Sequence, residues 1–110
     1  MRNDAISAEM SLVTVGQALS HPARVRILAI LAQEEHCGCE LAEILGLDPS
    51  VVSRHLSLLA DAGLITSRRD GPRLLWRLSH PQIPLILSCL AHLCCERRKD
   101  DLVEGYPQRI

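Results

Sequence analysis

The sequence predicts a mainly α fold with one small β-hairpin, in the element order ααααββα. Three observations lead there. Four stretches before residue 63 carry apolar residues at helical spacing. An Asp70-Gly71-Pro72 turn then separates two short runs of strand-forming residues. A last apolar stretch of helical length follows.

The first helix is expected over Ala5 to Leu19, where Ile6, Met10, Val13 and Gln17 recur at helical spacing, although Thr14, Val15 and Gly16 weaken it. Ser20-His21-Pro22 ends it, with His21 read as a turn residue and Pro22 able to open the next helix. Ala23 to Glu35 then shows a stripe of Val25, Ile27, Leu28, Leu31 and Ala32. His36-Cys37-Gly38-Cys39 breaks the run. Glu40 to Gly46 follows as a short helix with Leu41, Ile44 and Leu45 inward and Gly46 as its C-terminal stop. Asp48 and Pro49 supply an N-cap and a first-turn proline for a helix to about Ala62, whose inner face is Val52, Leu56 and Leu59. These two short helices across a tight turn outline a helix–turn–helix. Leu64 to Arg69 and Arg73 to Leu78 are the hairpin strands, with Trp76 as a core anchor. Pro84 to about Lys99 reads as a helix that is apolar nearly all round from Leu85 to Cys95. Such a helix packs on the core with one face and on a partner chain with another, and Cys89 is read as core. The whole is a winged helix–turn–helix, dimeric through its N- and C-terminal helices. Residues 1–101 form one domain for DNA binding and dimerisation, and 102–110 a flexible tail.

Composition removes several classes of function. Nearly half the chain is hydrophobic (47%) and 23% is charged, which excludes intrinsic disorder. Only 2% is aromatic, with no Phe, so base stacking on single strands has no material to work with. The longest apolar run, Ile27 to Ala32, is too short to span a membrane, and Met1 to Met10 has no apolar signal core. Five cysteines, an odd number without an export signal, point to reduced thiols and a cytoplasmic protein. No phosphate loop, nucleophile elbow or Cys-x-x-Cys redox motif is present, and the chain is not expected to be an enzyme.

The net charge of −1 hides an uneven distribution. Residues 31–48 contain Glu34, Glu35, Glu40, Glu43 and Asp48 and no base. Residues 54–77 contain Arg54, Arg68, Arg69, Arg73 and Arg77 against Asp61 and Asp70. Arginine forks suit guanine edges and phosphates. At the start of the second helix of the motif, Ser50, Ser53, Arg54 and His55 are the candidates to reach base edges, with His55 equally able to bond across the turn. Arg68, Arg69 and Arg73, at the hairpin tip, are the candidates for phosphates or a minor groove. The expected partner is double-stranded operator DNA.

Cys37 and Cys39 form the second constellation. Thiolates are soft ligands for Zn, Cd, Pb, Cu(I), As(III) or Sb(III). On a regular helix, side chains two residues apart point about 200° apart. The pair can therefore grip one ion only where the first helical turn is open or not yet formed, and Gly38 eases such a backbone. Ion binding there competes with the geometry that reads DNA, which gives a ligand its differential grip on two states.

Leu19-Ser-His-Pro-Ala-Arg-Val-Arg-Ile-Leu28, Cys37-Gly-Cys-Glu-Leu41, Ser50-Val-Val-Ser-Arg-His-Leu56 and Leu58-Leu-Ala-Asp-Ala-Gly-Leu-Ile65 together resemble the ArsR/SmtB family over roughly residues 10–98. The resemblance implies a dimeric winged-helix repressor released from DNA by metal or metalloid ions and regulating a resistance or efflux operon. It implies further that Cys37 and Cys39 match two thiols of the arsenic-responsive pattern, whose third position here is Ala42. Cys94, Cys95 or Cys89 then remain as the third ligand for As(III) or Sb(III), from the same or the partner chain. The family's divalent-ion site on the last helix is matched only loosely by His80, His92 and Glu96, with Leu78 at the expected Asp. Two alternatives stay open. One is the same repressor sensing Cd, Pb or Zn, or thiol oxidation through a disulfide or polysulfide link from Cys37/Cys39 to Cys94/Cys95. The other is a thiol-rich metal-binding or interaction dimer that touches no DNA.

Overall fold

The computed structural model describes the backbone of residues 2–104 and the side chains of residues 7–95. Its elements are α1 (Arg2–Ala18), α2 (Pro22–Gln33), β1 (His36–Cys37), α3 (Gly38–Leu45), α4 (Pro49–Asp61), β2 (Ile65–Asp70), β3 (Arg73–Leu78) and α5 (Ile83–Glu104). The expected order is present with one addition, the strand β1. It pairs antiparallel with β3, His36 opposite Trp76 and Cys37 opposite Leu75, so the hairpin becomes a three-stranded sheet in the order β1-β3-β2. Two residues carry no alternation, and only the facing edge of β3 makes them a strand.

Capping chemistry sets most boundaries. His21 is the N-cap of α2: its Nδ1 accepts the Ala23 N–H at 3.0 Å, with Pro22 in the first turn. Asp48 caps α4 by accepting from the Ser50 N–H at 2.8 Å, again ahead of a proline. Gly46 ends α3 in the left-handed region at φ 69°, where the Leu47 N–H closes back on the Ala42 carbonyl at 3.0 Å. At the wing tip Asp70 faces Arg73 across a two-residue loop. Gly71 has φ 65°, and Pro72 holds a negative φ, a combination that suits a type II′ hairpin turn and not a type I′. Ser79 closes the base of the wing by donating its hydroxyl to the Gly63 carbonyl at 2.6 Å.

The core lies between the helix–turn–helix and α2. Ile27, Leu28 and Leu31 of α2, Leu41 and Ala42 of α3, Val52, Leu56 and Leu59 of α4, and Ile65 of β2 are buried, with Ala18 reaching in from α1 and Trp76 packing against the edge. Val25 and Ala32, expected in the α2 stripe, are exposed. Three further expectations change. Gly38 opens α3 with ordinary helical geometry, so its special backbone freedom is not used. Cys89 is exposed, because α5 meets the core only near Ile83 and Leu87. Helix α5 also continues to Glu104, past the expected helix end near Lys99, while residues 105–110 lie outside the described residues. Among the described residues no helix is long and apolar enough to cross a membrane.

Candidate nucleic-acid interface and thiol groove

Helix α4 presents Ser50, Ser53 and Arg54 on its exposed side while Val52, Leu56 and Leu59 fill the core. Ser50 is partly committed, since its hydroxyl donates to Asp48 Oδ1 at 2.6 Å. That bond, followed by the Ser50 N–H, holds the Asp48 carboxyl below its ordinary pKa. Arg54 makes no hydrogen bond or ion pair with a described residue.

His55, expected beside them, does not share that exposed side. Only 8% of it is exposed, and it faces inward across the helix junction. Its Nδ1 lies 3.2 Å from Arg24 Nη1, and its ring sits 4.6 Å from that of His21. Arginine has only donors, so Nδ1 must be the acceptor and the imidazole neutral at that nitrogen. Arg24 is fixed in turn, donating to the Ala18 carbonyl at 2.8 Å and the Gln17 carbonyl at 3.2 Å. Burial, then the neighbouring His21, Arg24 and Arg54, push the His55 pKa down. His55 therefore ties α4 to α2 and α1 and turns away from the exposed side of α4. The sequence shows only that His55 can bond across the turn. Arg24 gives no signal there, because a partner 31 residues away leaves no periodic trace.

The wing arginines divide into two groups. Arg68 reaches Glu35, with Nη2 to Oε1 at 2.7 Å and Nε to Oε1 at 3.0 Å. Arg77 approaches the same carboxylate at 3.9 Å, and Arg73 pairs with Glu40 at 3.0 Å. Glu40 also accepts the Cys37 N–H at 3.0 Å and lies 3.2 Å from His36 Nδ1. These contacts displace the pKa values of the paired groups. Glu35 is lowered chiefly by its Arg68 hydrogen bond and Glu40 chiefly by the Cys37 N–H. Arg68 is raised by Glu35, and Arg73 by Cys37 and then Glu40. Arg69 is exposed and makes no such pair with a described residue. The acidic block at 31–48 and the basic block at 54–77 thus partly neutralise each other.

Cys37 and Cys39 line one open groove of about 430 Å³, together with Pro49 and Ser53 of α4 and Leu74 and Trp76 of β3. Cys37 is half-buried and Cys39 exposed. Cys37 is the N-cap residue, with extended backbone, so it stands ahead of the first helical turn that would otherwise splay the pair. The donor set fits a soft ion in part: two thiols are available, and the position of a third is taken by Ala42, only 5% exposed in the core. Cys94 and Cys95 are exposed on α5. Among the described residues no three His, Cys, Asp or Glu side chains stand together as an ion site, so one protomer does not bring the α5 thiols, or His80 and His92, into such a group.

Residues 21–67 match the model of the bacterial regulatory protein, arsR family. The HTH-type transcriptional regulator YgaV of Escherichia coli K12 is 36% identical over 90 residues, covering 81% of this chain and 90% of its own. The arsenic resistance transcriptional regulator ArsR1 of Pseudomonas putida is 39% identical over 71 residues, 64% of this chain and 55% of its own. The homodimeric winged helix-turn-helix DNA-binding domain of Mb0332 from Mycobacterium bovis superposes with a TM-score of 0.77 at 24% identity, covering 96% of this chain and 94% of that one.

Proposed function

The chain belongs to the ArsR family of bacterial regulatory proteins, and from that premise we propose that it is a homodimeric repressor released from operator DNA by As(III) or Sb(III). Two α4 helices, one from each protomer, enter successive major grooves about 34 Å apart on a palindromic site. Arg54 reads a guanine edge, and Ser50 and Ser53 add base or phosphate contacts. The dimer forms through α1 and α5, where Met10, Leu12 and Val13 and Leu85, Ile86, Leu90 and Leu93 stand exposed in the single chain.

One observation carries the choice of signal: the two thiols line the same groove as Pro49 and Ser53, at the start of the reading helix. Drawing both sulfurs onto one ion pulls on the first turn of α3, which the Glu40 bond to the Cys37 N–H holds closed. That strain passes to α4 across the groove. Binding ion and reading DNA then favour different arrangements, which is what release requires. As(III) favours three thiolates, and Cys94 or Cys95 of the partner protomer supplies the third.

The test is fluorescence anisotropy of the reduced protein on its own upstream DNA, titrated separately with arsenite, Cd and Zn. Near-stoichiometric release by arsenite supports the reading. Cys37→Ser and Cys39→Ser keep DNA affinity and lose the response, and two variants that still respond normally refute the thiol site. A second reading, Cd, Pb or Zn sensing or thiol oxidation, is favoured by the same geometry, since one protomer gathers two thiols and not three. Release by those ions, or by oxidant with recovery under dithiol, identifies it.

A further inference from the structure

We infer that Arg69 is the phosphate-contacting cation of the wing, and that Arg68 and Arg73 are latch residues which Glu35 and Glu40 withhold from DNA. This rests on the DNA-binding reading above and narrows it to particular side chains.

Two independent observations carry it. The first is the register of the sheet. Residues directly opposite each other across an antiparallel pair share a face, and every second residue along a strand returns to it. Arg68 lies opposite Leu75, and Arg73 and Arg77 flank Leu75 two residues to either side, so all three arginines share one face. Glu35 and Glu40 sit against that face. Arg69 lies opposite Leu74, on the other face, with Trp76. Leu74 and Trp76 line the groove that also holds Pro49 and Ser53, and Arg73, at the turn, reaches its rim. By register, Arg69 is the wing arginine on the sheet face of Leu74 and Trp76.

The second observation is electrostatic. DNA affinity at a basic surface comes largely from releasing the counterions that each neutralised phosphate had condensed. An arginine already closed on a carboxylate brings no net charge and releases none. A phosphate that approached Arg68 would also meet the Glu35 carboxylate behind the 2.7 Å contact. Each exposed pair is weak alone. Here Glu35 holds Arg68 and Glu40 holds Arg73, which ties the wing to the segment from Glu35 to Glu40, 33 residues away in the chain. Among the described residues Arg69 is left as a wing arginine with no carboxylate partner.

The experiment measures the salt dependence of binding to a fluorescein-labelled duplex of mixed sequence, with unchanged circular dichroism as the fold control. Each phosphate contact contributes about 0.9 to the slope of log affinity against log salt. Arg69→Ala, lost from both protomers, makes that slope shallower by about 1.8. Between about 50 and about 200 mM salt the wild type then loses about twelvefold more affinity than the variant. The charge-conserving double variant Arg68→Gln with Glu35→Gln releases only Arg77 from that carboxylate and does not make the slope shallower. Glu35→Gln alone frees both Arg68 and Arg77 and makes it steeper. A double variant whose slope falls as far as that of Arg69→Ala overturns the inference, as does an Arg69→Ala slope equal to wild type. Wild-type protein without salt-dependent binding refutes the DNA-binding reading instead, so the two failures are distinguishable.

Discussion

Replacing His55 by alanine tests the inward tie of the reading helix. The change removes the acceptor for Arg24 Nη1, 3.2 Å away, and the ring that rests on His21 at 4.6 Å. A hydrogen bond with a charged partner contributes about 1.5–3 kcal/mol, and the lost ring contacts add about 1 kcal/mol. The expected loss is about 3 kcal/mol, a large part of the roughly 5–15 kcal/mol that holds a domain together. The assay is urea unfolding at fixed protein concentration, since dimerisation links stability to concentration. His55→Asn, whose carbonyl oxygen stands near the position of Nδ1, recovers much of the loss.

The same pair of variants isolates a pH dependence. The folded His55 pKa lies below the ordinary value of 6.5, so in the window beneath 6.5 the unfolded chain binds the proton that the folded chain refuses. Stability is therefore complete above 6.5 and is lost as pH falls from there through the folded pKa, at up to about 1.4 kcal/mol per pH unit from this one group. The asparagine variant lacks that component while keeping every other titrating group. The reasoning is refuted if His55→Ala costs under about 1 kcal/mol, or if wild type and His55→Asn lose stability in parallel between about pH 7 and about pH 5.5.

Other expectations are more local. Leu59 is fully buried between α4 and the rest of the core, so Leu59→Ala costs about 2–5 kcal/mol with an unchanged urea m-value; a loss under 1 kcal/mol shows that the site collapses. Gly46→Ala places a side chain at φ 69° where no neighbour crowds it, so the penalty is backbone strain alone, about 1–2 kcal/mol by thermal unfolding. Leu93 is 63% exposed on α5, and Leu93→Glu yields a folded monomer in sedimentation velocity; an intact dimer moves the interface off this face.

The helices of the reading unit could be read directly because their signals are local. Asp48-Pro49, Gly46 and Gly71 act within a turn of their own position, and Val52, Leu56 and Leu59 reveal one helix face by spacing alone. The pairing of Cys37 and Cys39 with a helix start was also visible, because the broken pattern at residues 36–39 marks the place. The roles of the charged and imidazole groups were not local. Arg68, Arg69 and Arg73 are chemically alike in sequence, and Glu35 of the α2–β1 connection and Glu40 of α3 pair with Arg68 and Arg73 but not, among the described residues, with Arg69. His55 looked like a reader because it follows Arg54, yet the turn of the helix aims it at Arg24. Cys89 looked like core because its neighbours are apolar, yet α5 leaves the core after Leu87.

Composition, spacing and caps thus determined the fold class, the reading helix and the thiol pair, since each depends on residues within a few positions of one another. Which charges stay available, which histidine turns inward and which thiols share a groove were decided only by the tertiary structure. Those properties depend on partners some thirty residues distant, and the energy that selects them is packing and ion pairing between elements, which the chain acquires only once the core has closed.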